Sequence, residues 1–241
     1  MASNSFSKED LKSAVPKTEG TTSVGGLDGD IHIIRDKHGI PHVRATSTHD
    51  AFFGQGYATA QDRLWHMDYD RHKAYGRWAE FVGESGIEHD KQMRKFQIDA
   101  STEGDWAALN DDTKAMFEAY AAGVNAYINS VDVLPIEYQM TDTTPEPWTV
   151  RDSLAVFKIR HILMGVFEGK FWRAKLVNEF GPDRAAEILS GYQPGHLVIS
   201  PPGENFDGPV LSGLKELSEG LEAIEWLKDD DAGSNNWALS G

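Results

Sequence analysis

The chain has 241 residues, 40% of them hydrophobic and 10% aromatic, with a formal net charge of −15 and a pI near 4.9. It is long enough for one large globular domain or two small ones, and nothing in it is collagen-like or of low complexity. The negative charge argues against a nucleic-acid partner or an anionic membrane surface, and the absence of Cys excludes disulfide scaffolds, thiolate zinc sites and cysteine nucleophiles.

Residues 1–25 read as a loose leader ending in Gly-rich sequence. Its polar start has no apolar h-region, so it is not a secretory signal as written. The expected compartment is the cytoplasm, or the periplasm if a signal has been removed. No run of 18 apolar residues occurs, so no membrane-crossing helix is expected. From Asp30 to Arg35 polar and apolar residues alternate, which predicts a strand with Ile31 and Ile33 on one face. Asp36 to Gly39 supplies turn chemistry, and Ile40 to Ala45 reads as a second strand carrying Val43, so a hairpin is expected.

From Thr48 the period becomes helical, with Ser47 to Asp50 as cap, and the pattern runs to about Phe81, where Gly83 stops it. A second helix is predicted over 102–131, with the stripe Leu109, Met116, Phe117, Tyr120, Val124, Tyr127 and Ile128. Pro135, Pro145 and Pro147 punctuate a loop. Another helix begins at Thr149 and carries Leu154, Phe157, Ile159, Ile162 and Leu163. Beyond residue 200 the chain turns acidic, with nine acidic and two basic residues between Glu204 and Asp231 and a short amphipathic helix around Leu211 to Leu227. Such a segment suits a solvated spacer that must stay detachable. Gln61, Asp62 and Arg63 read as a structural polar cluster. His66 and His72 are six residues apart and do not share a helix face, so they make a poor metal pair.

Four stretches, in order, carry a resemblance. They are Ile34 to Ala45; Gly54-Gln-Gly-Tyr-Ala-Thr-Ala-Gln-Asp-Arg-Leu-Trp-His-Met67, continued by Gly76 to Glu80 and Gly83; Tyr120-Ala-Ala-Gly-Val-Asn-Ala-Tyr-Ile128 with Leu134 to Tyr138 and Pro147-Trp148; and Gly233-Ser-Asn-Asn-Trp237. Together they resemble the penicillin acylase family of N-terminal nucleophile hydrolases. The resemblance implies a precursor that cuts itself before Ser234. Residues 26–200 would then form an α-subunit-like domain, 201–233 a spacer, and 234–241 the start of the β subunit.

The implied fold class is α+β: a mostly helical fragment with a small N-terminal strand element, part of a four-layer αββα architecture when complete. The implied partners are the β subunit and a small-molecule N-acyl substrate, such as a penicillin, a cephalosporin side chain or an acyl-homoserine lactone. The motifs do not separate β-lactam acylases from acyl-homoserine lactone acylases.

The chemistry is consistent with these residue types. A serine hydroxyl needs a base, and when Ser234 is the first residue its own α-amine, with a pKa of about 7.7–8.0, supplies one. Gly233, lacking a Cβ, permits the strained backbone of an N→O acyl shift. By the same resemblance His161, Met164 and Phe167 are candidate walls of the acyl pocket. No cofactor is required. Glu168 is the candidate for one ligand of a structural calcium ion, which needs further oxygens from the β subunit. Since the chain reaches only eight residues past the cleavage point, counting Ser234, the polypeptide alone is expected neither to cut itself nor to hydrolyse an amide. The rival reading is a non-catalytic interaction subunit or a truncated gene product that exposes apolar faces to a partner.

Overall fold

The computed structural model describes residues 6–164 and 167–188 with Gly213 and Glu216, and for residues 163, 164, 167–171, 178, 182 and 186 the backbone alone. A short helix, α1 (Lys8–Ser13), stands where the sequence predicts a loose leader. Its cause is local: Ser7 Oγ accepts the Asp10 amide at 3.1 Å, and Asp10 Oδ2 accepts the Ser7 amide at 2.8 Å, a reciprocal capping box. None of its residues is buried, so the cap rather than packing holds it.

β1 (His32–Arg35) and β2 (Pro41–Arg44) pair antiparallel with Ile33 opposite Val43, inside the predicted ranges. Asp36 shapes the turn between them, its Oδ1 accepting the amides of His38 and Ile40, and Gly39 adopts φ +80°. α2 (Thr48–Ala74) starts at the expected cap, where Ser47 Oγ accepts the Asp50 amide at 3.1 Å. It ends earlier than predicted. Gly76 turns the chain at φ +63°, and a Cβ there would lie 2.7 Å from the Asp90 carbonyl oxygen. α3 (Ala79–Val82) resumes the helix as far as Gly83, followed by a single 3₁₀ turn (Gly83–Gly86) and by α4 (Ile87–Lys95), which has no counterpart among the predicted elements.

The helix predicted over 102–131 is two helices, α5 (Ile98–Ala108) and α6 (Asp111–Ser130). Leu109, expected in the buried stripe, is extended, and Asn110 caps α6 by accepting the Thr113 amide at 2.8 Å. An Asn is a weak helix interior residue and a strong cap, and here the cap wins. α7 (Ile136–Thr141) occupies part of the segment read as loop, and α8 (Val150–Met164) starts where predicted. α9 (Phe167–Ile188) breaks at Gly181, φ +77°. The acidic helix expected around 211–227 falls on residues outside the described ones. The described fold is mostly helical with one two-stranded sheet, as the sequence implies.

Two compact units divide the chain, Met1–Ile159 and Arg160–Gly241. The core of the first gathers Ala60, Leu64 and Met67 of α2, Val124 and Tyr127 of α6, Tyr138 of α7 and Trp148. Burying a Leu or Val side chain contributes about 1.5–3 kcal/mol each, and here that gain depends on close backbone approach. A Cβ on Gly56 would lie 2.1 Å from the Tyr120 carbonyl oxygen, and one on Gly123 would lie 1.9 Å from that of Phe53. In the second unit Ala185 of α9 is buried while Trp172 and Phe180 are exposed. Among the described residues no helix is long and apolar enough to cross a membrane.

The loop before β1 is tied to α2 by Asp50, whose side chain is fully buried. Its two carboxylate oxygens accept the amides of Asp28 (3.1 Å) and Gly29 (3.0 Å), and His49 Nδ1 lies 3.0 Å from Oδ1. The His49 hydrogen bond, followed by these two amides, holds the Asp50 carboxyl below its ordinary range despite its burial. A depressed folded pKa contributes stability that is present above the unfolded value of about 3.9 and lost as pH falls through the folded value. Thermal unfolding followed from about pH 6 to pH 3 should therefore show a smaller acid-side loss of midpoint in Asp50→Ala than in wild type. Parallel curves would remove Asp50 from the acid transition.

Candidate functional site

The densest chemistry in the first unit surrounds the start of α8. Thr149 and Asp152 cap the helix reciprocally, Asp152 Oδ2 accepting the Thr149 amide at 2.6 Å and its hydroxyl at 2.9 Å. Asp152 Oδ1 accepts the Tyr75 hydroxyl at 2.9 Å, and Arg71 Nη1 lies 3.5 Å from Oδ2. Arg71, at the end of α2, also donates to Asp68 Oδ1 (2.9 Å from Nε) and to the carbonyls of Glu146 (3.3 Å) and Pro147 (3.1 Å). Tyr138 donates to Asp68 Oδ2 at 3.0 Å, and His72 Nδ1 lies 3.1 Å from Asp68 Oδ1. Trp148, on whose ring face the Arg71 guanidinium stacks, exchanges a pair of backbone–amide hydrogen bonds with Asn125 of α6, at 2.7 and 2.8 Å.

Arg71, Asp68 and Asp152 are each at most 5% exposed, so these charges interact with little screening. Burial pushes the Asp68 carboxyl up, but His72 and Arg71 outweigh it and leave it below the usual range. Burial pushes Arg71 down, yet Asp68 and Asp152 more than reverse this. Burial and the neighbouring carboxylates push the Tyr75 and Tyr138 phenols well up, so both stay protonated and act as donors. The carboxylates are thus matched by donors on α2, on α7 and at the α8 cap. Such a cluster is suited to holding three helices in register, not to reacting with a substrate. Asp68, Arg71 and Asp152 carry a legible signal, charged residues at positions where a helix pattern calls for core, but no motif singles them out.

The predicted site residues fall as follows. Gly233 and Ser234 lie outside the described residues. His161 is in the last turn of α8 and exposed. Met164 closes α8 and Phe167 opens α9, with Glu168 next, and the side chains of these three lie outside what is described. Gln61 and Asp62 form the structural cluster the sequence suggests, with Arg35 Nη2 donating to Gln61 Oε1 at 2.6 Å and to Asp62 Oδ1 at 2.7 Å. Arg63 differs in role: it sits at a kink inside α2 (φ −144°, ψ 24°). His66 pairs with Asp70 and His72 with Asp68, so the two histidines join separate pairs.

Asp28, His49 and Asp50 bring three potential metal-ligand atoms within 4.8 Å of one another. The hydrogen bonds that both Asp50 oxygens already make explain this cluster as a loop anchor. A groove of about 960 Å³ runs between the leader and the floor formed by Ile33, Phe53, Tyr57 and Tyr127. The leader is held there by Gln61 Nε2 donating to the Lys17 carbonyl at 2.7 Å.

Residues 30–241 match the Penicillin amidase family. The chain is 35% identical over 239 residues to the penicillin acylase 2 proenzyme of Pseudomonas sp. (strain SE83), covering 97% of this chain and 31% of that protein. It is 31% identical over 235 residues to the acyl-homoserine lactone acylase QuiP of Pseudomonas aeruginosa, covering 94% of this chain and 28% of that one. The solved structure of the thermostable penicillin G acylase from Alcaligenes faecalis superposes with a TM-score of 0.57 at 31% identity, over 72% of this chain and 98% of that chain. The chain therefore spans about a third of the length of the curated relatives it matches.

Proposed function

The chain belongs to the penicillin amidase family, and on that premise we propose that it is the α-subunit part, with spacer and nucleophile, of a self-cleaving amidohydrolase that hydrolyses N-acyl amides. The observation that carries the reading is the family match running through residue 241, and so through Gly233-Ser234-Asn-Asn-Trp237. In maturation, Ser234 Oγ attacks the Gly233 carbonyl carbon, the peptide C–N bond breaks as the ester forms, and the freed Ser234 amine takes the proton. Water then hydrolyses the ester and leaves Gly233 as a carboxylate.

In turnover the amine of Ser234 accepts the hydroxyl proton, directly or through one water, while Oγ attacks the substrate amide. The acyl group passes to Oγ, the amine of the substrate leaves with a proton, and water completes hydrolysis. The oxyanion donors come from the downstream polypeptide, as does most of the sheet. His161, Met164 and Phe167 stand as candidates for the wall of the acyl pocket, a bulky lining suited to a hydrophobic acyl group. Glu168 would give one oxygen to a calcium ion that requires six to eight, the rest from the downstream chain. The names of the relatives support both β-lactam side chains and acyl-homoserine lactones as substrate classes.

The test is co-expression of this chain with its own downstream sequence, read by intact mass and N-terminal sequencing. The expected product is a new chain beginning Ser234-Asn-Asn-Trp, with amidase activity, while residues 1–241 alone stay uncut and inactive. A folded but uncut product would transfer the chain to the rival reading, a binding subunit. Cleavage of the pure chain between Gly233 and Ser234 would refute the inactivity of the fragment.

A further inference from the structure

We infer that the outer edge of β1 is a strand-addition site, filled in the complete protein by an extended segment of the downstream polypeptide. The inference rests on the reading of this chain as the first part of a longer one. Its own basis is the hairpin. Ile33 stands opposite Val43 and Arg35 opposite Pro41, and the Asp36 amide donates to the Ile40 carbonyl at 3.2 Å. Hydrogen-bonded pairs alternate along an antiparallel ladder. Ile34 with His42 and His32 with Arg44 are therefore the bonded pairs, and Ile33 and Arg35 aim amide and carbonyl away from β2. Among the described residues no hydrogen bond meets these outward backbone groups.

The two edges of the hairpin are not alike. On β2 the outward position opposite Arg35 is Pro41, which has no amide to offer and blunts that edge. On β1 the outward positions keep their amides, and this edge borders the groove of about 960 Å³. Residues 30–34 line the groove without a gap. A strand face would present every second residue, whereas an edge presents each in turn. The leader forms the opposite wall, and among the described residues no backbone hydrogen bond joins it to β1.

The chemistry of the groove selects the occupant. Its walls combine an apolar floor with the open backbone of β1, which suits a peptide that brings both kinds of group and suits a hydrocarbon chain less. A second copy of the chain would bring another net charge of −15 against the first. The chain spans about a third of the relatives it matches, so on the reading above a downstream polypeptide is present in the same molecule, at high effective concentration. The segment expected there is extended, with apolar residues at alternate positions to meet Phe53, Tyr57 and Tyr127. The leader can yield to it, being held by the Gln61 hydrogen bond to the Lys17 carbonyl and by an exposed, solvent-screened Lys17–Asp132 pair.

Amide hydrogen exchange, resolved to single residues by fragmentation, tests this on residues 1–241 alone and on the complete protein. In the chain alone Ile33 should exchange about tenfold faster than Ile34, whose amide is paired with His42; in the complete protein the Ile33 rate should fall about a hundredfold. Ile33→Pro removes the outward amide and leaves the β2 ladder intact. With the two parts supplied as separate chains, it should weaken their association about tenfold or more. Val43→Pro is the matched control: it also loses one apolar side chain and one outward amide, but on the blunted edge, and should stay within about threefold of wild type. An Ile33 amide that exchanges equally fast in the complete protein would overturn the inference, as would equal weakening by the two proline variants. Protection already present in the dilute chain alone would make the leader the occupant, and protection that grows with its concentration would make it a second copy; either overturns the inference. The exchange result decides by itself if a variant does not fold. A complete protein that folds without cutting itself or hydrolysing an amide would remove the proposed function, while protection of Ile33 in it would keep the strand addition.

Discussion

Ser234→Ala in the complete precursor should yield a single uncut chain with no measurable amide hydrolysis. Two losses combine in that result, and they can be separated. Alanine has no nucleophile for the Gly233 carbonyl, so no new N-terminus appears, and without it no α-amine is free to act as base. Supplying residues 1–233 and the downstream part as separate chains bypasses the cut and isolates turnover. There the alanine enzyme should lose about 10⁵-fold or more in kcat, with KM little changed, because removing a nucleophile takes away transition-state stabilisation and leaves substrate binding largely intact. The wild-type two-chain enzyme should gain kcat/KM as pH rises through about 7–8, since the terminal amine must be neutral to take the hydroxyl proton, and acetylating that amine should silence it. Activity within tenfold of wild type in Ser234→Ala would mean that the nucleophile lies elsewhere and that the family match marks ancestry only.

What the sequence reveals follows from how locally each feature is encoded. The hairpin is legible because alternation, Asp36 and Gly39 all lie within a dozen residues, and they build the strand pair and turn observed. The α2 cap at Ser47 is legible for the same reason. The break at Gly76 is not. That glycine is demanded by the Asp90 carbonyl oxygen of α4, a contact no local pattern announces. Asn110 illustrates a competition: the apolar stripe continues through it, while its side chain captures the Thr113 amide and starts a new helix.

In the candidate site the contrast is sharper. Pro147-Trp148 and Tyr138 attract notice as parts of a resemblance, yet their physical role is to carry hydrogen bonds between α6, α7, α2 and the α8 cap. Asp68, Arg71 and Asp152 leave only a weak signal, charges at core-phase helix positions, because a charge within a helix usually faces solvent, and only the assembled helices show that these face one another. Gly54-Gln-Gly56 resembles a family motif for equally physical reasons. Gly54 leaves room for Val43 of the hairpin and Ile31 just before it, Gln61 nearby holds the leader, and Gly56 admits the backbone of α6.

That close approach sets up the largest stability effect expected from a single methyl group. In Gly123→Ala the new Cβ would lie 1.9 Å from the Phe53 carbonyl oxygen, 2.8 Å from its carbon and 3.0 Å from the Tyr57 nitrogen, all backbone atoms of α2. No rotamer change relieves a clash with backbone, so α2 and α6 must separate. Separation loosens the packing of Leu64, Val124 and Tyr127 together. A loss of about 3 kcal/mol or more is expected, a fall of roughly 6–12 °C in midpoint for a unit of this size. Gly104→Ala is the matched control. Gly104 also sits inside a helix, α5, but nothing lies within 4 Å of its added Cβ. There the methyl only restricts the unfolded chain and improves helix propensity, so the midpoint should rise by about 1–4 °C. Thermal unfolding followed by circular dichroism decides between the two signs. If Gly123→Ala unfolds at the wild-type temperature, the α2–α6 contact is looser than the described geometry, and the register that Gly56 and Gly123 impose on the core falls with it.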